Sequence, residues 1–523
     1  MSVKYASHVT KKNVPQTEQV DSRQVRNSAG GFAFAVDDWT RLDRFLILGN
    51  EKGTYYASER KLTKDAAQCI LRCHKDDAKR TVDTIVDVSV NNRAPKQEPA
   101  IFALSLLAQD PLALAAIPKV CRTSTHLFQF LDNVQEFRGW GRALRNAIAT
   151  WYTSKKRSDL VYQVTKYRQR EGWTHRDVLR LAHPQSDELN DIFAWIVGKL
   201  DLSKVASEDE ALNKLAVFEE IQRTTDARKA AQLIRDNRLV REHVPTELLN
   251  SKEVWEALLE DMPVTALVRN LGKLSSVGLL VPLSNASKLV VSKLQDTEAL
   301  RRGRVHPFSL LLAQDTYGHG HGVRGSLTWN VVPQVVQALD DAFYASFGLL
   351  EPSNKNYLLG IDVSGSMCGG GVAGSHITPN KAAAAMAMVA ARTEPNYYFM
   401  GFAHTFRDLG ITARDSLDTA MRKCQVASFG STDCSLPMKW ALENKIEVDM
   451  FCVYTDSETY AGRGHPHICI QEYRNKMGRN AKLVVVGLVA NDFTIADPTD
   501  AGMMDVVGFD ASAPSVMREF AIA

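Results

Sequence analysis

Long apolar runs are missing from this 523-residue chain: no stretch of eighteen apolar residues occurs, which argues against a membrane-spanning helix. Cysteine is scarce, eight in all, and several (Cys69 and Cys452 among them) lie in apolar runs. That usage fits reduced thiols, not a disulfide framework. The opening from Met1 to Gln24 is polar and mixed in charge, without the apolar core of a secretory signal, so a cytoplasmic protein with no membrane partner is expected. No Walker A string occurs, because Gly369-Gly-Gly-Val-Ala-Gly374 is not followed by Lys-Ser/Thr. Cys69-x-x-x-Cys73-His74 has no second Cys or His pair at a structural-zinc spacing and reads as a helix face. Gly318-His-Gly-His-Gly322 reads as a solvent turn.

What is present divides into two halves with different grammar. The length exceeds what a single core supports, so at least two domains are expected. From Ser353 onward short apolar strands (357–361, 397–402, 449–455, 482–489) alternate with helices (380–392, 415–425, 435–445, 467–477, 513–520), the pattern of a doubly wound, mostly parallel sheet. Before Ser353 the pattern is helical almost throughout, from Thr63 to Gly348, with apolar residues three and four apart in segments such as 98–107 and 261–272. Many helices of about a dozen residues joined by short turns suit an irregular stack of helix pairs. The expected organisation is a flexible segment over 1–24, a helical-repeat domain over 25–352 and an α/β domain over 353–523.

The α/β half carries the sharpest motif. The strand ending at Ile361 runs into Asp362-Val-Ser364-Gly-Ser366, and one carboxylate with two hydroxyls on a tight loop suits a hard divalent cation, Mg²⁺ first. Thr432, in Gly430-Ser-Thr-Asp433, and Asp456, at the end of the strand Met450 to Thr455, would complete the shell, because loops at the carboxyl ends of parallel strands share one crevice. The set resembles the metal-ion-dependent adhesion site of von Willebrand factor A domains. The cation would have one carboxylate–hydroxyl shell and not the paired carboxylates of a two-metal phosphodiesterase, so catalysis is not expected.

Charge is unevenly placed. Residues 353–523 hold 15 basic and 18 acidic side chains, whereas Arg138 to His183 alone holds 11 basic against 3 acidic. That window also carries Trp140, Trp151, Tyr152, Tyr162, Tyr167 and Trp173, and cations interleaved with rings suit RNA, phosphates on the former and unpaired bases on the latter. Reading Ser158 to Glu171 as a helix puts Lys166 and Arg170 on one face. Thr174-His-Arg-Asp177 has the form of a capping box that starts a helix ending at His183 before Pro184. Lys166, Arg170, Arg176, Arg180 and His183 would then gather around one helix start, a phosphate seat; His183 equally reads as a helix-terminal cap. A solvated helix face with buried aromatics is the competing reading.

Long strings in order identify the chain as similar to the Ro autoantigen family, in which a TROVE module precedes a von Willebrand A domain. They include Arg41-Leu-Asp-Arg-Phe-Leu46, Gly53-Thr-Tyr-Tyr56, Trp140-Gly-Arg-Ala-Leu-Arg145, Thr165-Lys-Tyr-Arg-Gln-Arg170, Gly172-Trp-Thr-His175, Leu179-Arg-Leu-Ala-His183, Gly430-Ser-Thr-Asp-Cys-Ser-Leu-Pro437 and Phe493-Thr-Ile-Ala-Asp-Pro498. The Gly-rich insert Cys368 to Gly374 points to a bacterial relative. The resemblance implies a ring of HEAT-like helical repeats that binds small noncoding Y RNAs outside and the single-stranded ends of misfolded RNAs in its hole. It implies roles in RNA quality control, small-RNA stability and stress survival, and a 3′ exoribonuclease tethered through RNA as a partner. Family positions for Y RNA binding fall on Lys166, Arg170 and His183; Arg142, Arg145, His175, Arg176 and Arg180 complete the candidate set. The metal positions fall on Asp362, Ser364, Ser366, Thr432 and Asp456, whose ligand the sequence does not name. The alternative is a metal-dependent, adhesion-type protein-interaction scaffold acting through the α/β half.

Overall fold

The computed structural model describes residues 4–5, 13–51, 53–54, 56–202, 209–427 and 430–523. The chain enters on a hairpin, β1 (Gln24–Arg26) and β2 (Phe32–Ala35), and continues as helices from Asp38–Leu48 to Pro333–Ala345. One short hairpin, β3 (Gln169–Arg170) with β4 (Trp173–Thr174), interrupts them. The C-terminal half builds a sheet from β5 (Asn356–Asp362), β6 (Asn396–Phe402), β7 (Phe406–Asp408), β8 (Met450–Thr455), β9 (Lys482–Gly487) and β11 (Met503–Val507), while β10 (Phe493–Thr494) leaves it to pair with β2. The order is β11-β9-β8-β5-β6-β7, parallel except for β7 at the edge. A helical first half and an α/β second half are therefore as the periodicity implied; the short strands β7 and β11 lacked a pattern long enough to read.

Side-chain alternation divides the sheet between two cores. Leu359, Ile361, Cys452, Tyr454, Val484 and Val486 point to one face, where the helix Pro379–Thr393 lies with Ala382 to Ala387 all buried. Small side chains bring that helix close to the strands, and this core is continuous with that of the helical half. Leu358, Phe451, Val453, Leu483 and Val485 point the other way, against Met438, Ile470 and Tyr473. Cys69 and Cys73 are buried on the helix Glu59–Asp76. Among the described residues, no helix is long and apolar enough to cross a membrane.

The expectation of a flexible segment over 1–24 does not hold for residues 13–24. Gln16 is fully buried among the loops of the α/β half: its Nε2 donates to Asp433 Oδ1 (2.7 Å) and its Oε1 accepts from Thr459 Oγ1 (2.5 Å). A buried amide must be satisfied, and these partners exist only in the folded α/β half. Residues 1–3 and 6–12 lie outside the described residues.

Both ends of the helical half dock on the α/β half. At the first end Arg44, 1% exposed, pairs with Asp505 (2.8 Å) and donates to the carbonyls of Asn491 and Phe493, while Arg93 pairs with Asp510 (2.7 Å). At the other end Asp340 accepts from the Leu417 amide (2.8 Å) and pairs with Arg392 (3.2 Å). The ring of His306 hydrogen-bonds the Arg93 carbonyl (3.2 Å), so the late helices return onto the early ones. Removing one member of a buried pair leaves its partner uncompensated, whereas removing both with apolar groups is close to neutral. Arg44→Met is expected to destabilise the protein by about 3–5 kcal/mol in urea unfolding, and Arg44→Met/Asp505→Leu to recover most of the loss; equal losses in the two variants would contradict the pairing.

Candidate nucleic-acid interface and metal face

The basic segment folds as two helices, a hairpin and a third helix. In Arg142–Thr153, burial of Leu144, Ile148, Trp151 and Tyr152 leaves Arg142 and Arg145, three apart, exposed together. The helix His175–Ala182 packs beside it and starts with the expected capping box: the Asp177 amide donates to Thr174 Oγ1 and the Thr174 amide to Asp177 Oδ2 (3.1 Å). Val178, Leu179 and Ala182 face the core, so Arg176, Arg180 and His183, four and three apart, share the exposed face. Two neighbouring helices thus present five exposed basic or imidazole side chains.

Several sequence expectations are corrected here. The helix read over Ser158 to Glu171 ends at Lys166, and Arg170 lies on β3, so the two do not share a helix face. The chain leaves the helix because the Tyr167 carbonyl accepts from the His175 ring (3.0 Å) and Gly172, at φ 76°, turns the hairpin. His175 itself is buried; Tyr152 hydroxyl meets its other ring nitrogen at 2.8 Å, and it is a core residue that RNA cannot reach. His183 is the left-handed C-cap at φ 49°, about 12 Å from the start of an eight-residue helix, so the set does not gather around one helix start. That start is occupied by the Asp177 carboxylate, which opposes a phosphate there. The rings are less available than the interleaving implied: Trp151 and Tyr152 are core, Trp140 and Trp173 half-buried, and only Tyr162 of the six is exposed.

Lys166 is half-buried; its Nζ donates to Tyr162 Oη (2.8 Å) and sits 5.0 and 5.1 Å from the Tyr162 and Tyr167 ring centres, an aromatic cradle that fixes the ammonium. Arg170 pairs with Glu171 (2.7 Å) at an exposed position, a contact weak enough to exchange for phosphate. Arg168, exposed over the Phe218 ring (5.7 Å), belongs to the same surface; its charge was counted in the sequence but its position gave no separate signal.

The Asp-x-Ser-x-Ser loop, Thr432 and Asp456 all lie at the carboxyl ends of the parallel strands. Asp362 ends β5, Asp456 follows β8, and Thr432 lies on the loop between. Asp362 Oδ1 accepts from the Ser364 amide (2.9 Å) and Oδ2 from Thr455 Oγ1 (2.6 Å); Ser364 and Ser366 hydroxyls lie 3.3 Å apart; Asp456 Oδ1 accepts from the Glu458 amide (3.0 Å). All five residues are at most 7% exposed. Burial, then the nearby Asp456 charge, pushes the Asp362 carboxyl well above the usual carboxylate range. Among the described residues no salt bridge reaches Asp362 or Asp456. Two buried carboxylates without a basic partner, ringed by hydroxyl oxygens, fit a hard divalent cation, which would supply the missing positive charge. Two residues that motif reading did not assign also stand at this face. Tyr56, from the helical half, lies near the Asp456 and Glu458 carboxylates, and it is the Glu458 amide that donates to Asp456 Oδ1. Tyr56 appeared only inside a matching string, and nothing in its spacing places it near Asp456.

The TROVE domain matches residues 25–236 and 222–318, and the Ro60 vWA domain matches residues 356–521. The chain is 45% identical to the RNA-binding protein RO60 of Deinococcus radiodurans, over 97% of each chain, and 36% identical to the RNA-binding protein RO60 of Caenorhabditis elegans, over 97% of this chain and 92% of that one. The chain belongs to the Ro family. The crystal structure of the Ro (Rsr) protein of Deinococcus radiodurans superposes with a TM-score of 0.70 at 43% identity, covering 93% of this chain and 99% of that one. A Ro-family fold, TROVE helices followed by a von Willebrand A domain, is thus shown by sequence and by structure.

Burial holds His175 well below the ordinary imidazole range, at about 4. Between pH 6.5 and 4 the unfolded imidazole therefore takes up a proton that the folded one refuses. The stability from burying it neutral is complete above pH 6.5 and is lost as pH falls toward 4. Between pH 7.5 and 5 the wild type is expected to lose about 2 kcal/mol more stability than His175→Gln, measured by urea unfolding at each pH; parallel losses would show that this imidazole does not titrate with unfolding.

Proposed function

We propose that this Ro-family chain is a noncatalytic RNA-binding protein. It binds small noncoding Y RNA through the exposed surface of Arg142, Arg145, Arg176, Arg180 and His183 with Lys166 and Arg170. The observation that carries the reading is the alignment of exposed, largely unpaired cations on two adjacent helices, beside relatives whose names state RNA binding. Phosphate oxygens reward such an array, and it needs no groove geometry or base contact to work. Misfolded noncoding RNAs, whose single-stranded ends would enter the hole of the helical ring, are the second ligand class. A 3′ exoribonuclease tethered through the RNA is the proposed partner, in RNA quality control and stress survival in the cytoplasm. Asp362, Ser364, Ser366, Thr432 and Asp456 would hold Mg²⁺, with a structural and not a catalytic task.

RNA recovered with the protein from its host, sequenced beside that from a Lys166→Ala/Arg170→Ala/His183→Ala variant, tests the reading. A discrete small RNA is expected with wild type and not with the folded variant. In titrations each lost phosphate contact should reduce the log–log salt slope by roughly 0.7 to 0.9. Unchanged slope and equal recovery in both proteins would place RNA elsewhere on the molecule.

A further inference from the structure

The glycine-rich segment Gly318 to Gly322 is more than a solvent turn: it starts a loop that folds back on itself. The Trp329 amide donates to the Gly320 carbonyl (2.9 Å) and the Gly322 amide to that of Leu327 (2.9 Å). The fold-back seats the Trp329 indole. Its Nε1 donates to the Tyr317 carbonyl (3.0 Å), and its ring lies nearly parallel to that of Tyr317, with centres 6.0 Å apart. Tyr317 is itself fixed, its hydroxyl shared between Ser275 Oγ (2.8 Å) and the Val332 amide (3.3 Å). Gly272, inside the helix Val264–Ser276, makes the fit possible, because a Cβ there would stand 2.7 Å from the indole. Glycine is disfavoured in a helix interior, and here its missing side chain admits the ring.

A cavity of about 500 Å³ opens between this loop, the helix Val264–Ser276 and the stretch 241–255, a volume within the range of small-molecule sites. Trp329 and the buried Trp255, Val268 and Leu271 give it apolar walls. Arg241, Arg269 and Lys273 also line it, and no Asp or Glu does. Arg241 and Arg269 are exposed, and among the described residues neither is paired with a carboxylate. The two lining amides are oriented by partners that can play only one role. Lys273 Nζ, a donor, takes Asn250 Oδ1 (2.9 Å), and the Ala266 carbonyl, an acceptor, takes Asn270 Nδ2 (2.8 Å). An N–H pair on Asn250 and a carbonyl oxygen on Asn270 are left over, one donor group and one acceptor.

We propose that this cavity binds a nucleoside monophosphate, free or as a unit of an RNA strand. Arg241, Arg269 and Lys273 supply the countercharge of the phosphate, the Trp329 indole takes the flat face of the base, and Asn250 and Asn270 take its polar edge. Charge complementarity selects the ligand class. Three cations without a carboxylate repel a cation and leave a neutral ring without its strongest contacts, while the apolar walls reward the base that inorganic phosphate lacks. The site shares no residue with the surface proposed for Y RNA.

Calorimetric titration of the full-length protein with AMP tests the assignment, with adenosine and inorganic phosphate as half-ligands and a short oligoadenylate as the strand. AMP should bind about tenfold or more tightly than either half-ligand and quench part of the tryptophan emission. Arg241→Ala/Arg269→Ala should weaken AMP about tenfold or more, whereas Arg301→Ala/Arg302→Ala, equally exposed but outside the lining, should bind as wild type. Trp329→Phe should lose most of the quenching. An oligoadenylate that competes with AMP and binds more tightly identifies RNA as the source; one that binds no more tightly, or does not compete, identifies a free nucleotide. The site is overturned if neither AMP nor the strand binds, if inorganic phosphate binds as tightly as AMP, or if the two double-arginine variants behave alike.

Discussion

Everything in this molecule depends on how the two ends of the helical half are stopped. A stack of helix pairs buries its apolar faces only against neighbours, so its first and last members each leave one face uncovered. Here one α/β domain covers both. The helix Asp38–Leu48 buries Leu42, Phe45, Leu46 and Leu48, and the helix Pro333–Ala345 buries Val335, Leu339 and Phe343, all in a core that also contains one face of the sheet. The Phe308 and Phe509 rings meet edge to face at 4.9 Å where late helices, early helices and the α/β half come together. Closure is therefore a property of the whole chain and not of the helical repeats.

That constraint sorts the charged side chains by task. Arginines at the seam, such as Arg44 and Arg93, are buried or half-buried and have their terminal guanidinium nitrogens committed to carboxylates and carbonyls. The surface arginines Arg142, Arg145 and Arg180 are exposed, and Arg176 spends one donor on the Val197 carbonyl. A guanidinium already satisfied offers nothing to phosphate, whereas an exposed one gains a charge-assisted pair at little desolvation cost. Composition counts both kinds alike: within the basic window Arg157 is held by Asp191 and Asp209 and Arg138 by the Ala108 carbonyl, while Arg142, Arg145 and Arg180 stand exposed.

The legible parts of the fold were those that local chemistry decides. An apolar strand running into Asp362-x-Ser-x-Ser announced the loop at the strand's carboxyl end, and Thr174 with Asp177 announced a helix start, because strand burial and capping act within a few residues. What stayed hidden was decided across hundreds of residues. The periodicity from Ser158 to Glu171 permits a longer helix, but the His175 ring takes the Tyr167 carbonyl and the hairpin of β3 and β4 replaces the last turn. His175 stood in the candidate set beside Arg176; its burial with Tyr152 and Phe128 is invisible without the third dimension. The polarity of residues 13–24 described what the segment carries and not where it goes: Gln16 and Gln24 are buried because distant loops receive their amides.

Charge at the seam also explains why the helical half closes in one direction. At its first end the helical half, with the hairpin that precedes it, supplies cations, Arg23, Arg41, Arg44 and Arg93, to Asp497, Asp492, Asp505 and Asp510 of the α/β half. At its other end the signs reverse: Asp315, Asp340 and Glu351 receive His376, Arg392 and Arg518. Where such pairs are buried, as Arg44 with Asp505, they contribute little net stability against apolar substitutes, since desolvation offsets most of the attraction. Their effect is on the alternatives. Docking with the ends exchanged would bring Arg44 toward Arg392 and Asp340 toward Asp505, leaving like charges buried together, and an arrangement that costs several kcal/mol per misplaced ion is not populated. Apolar contact makes closure favourable, while the reversed polarity of the two seams selects its direction.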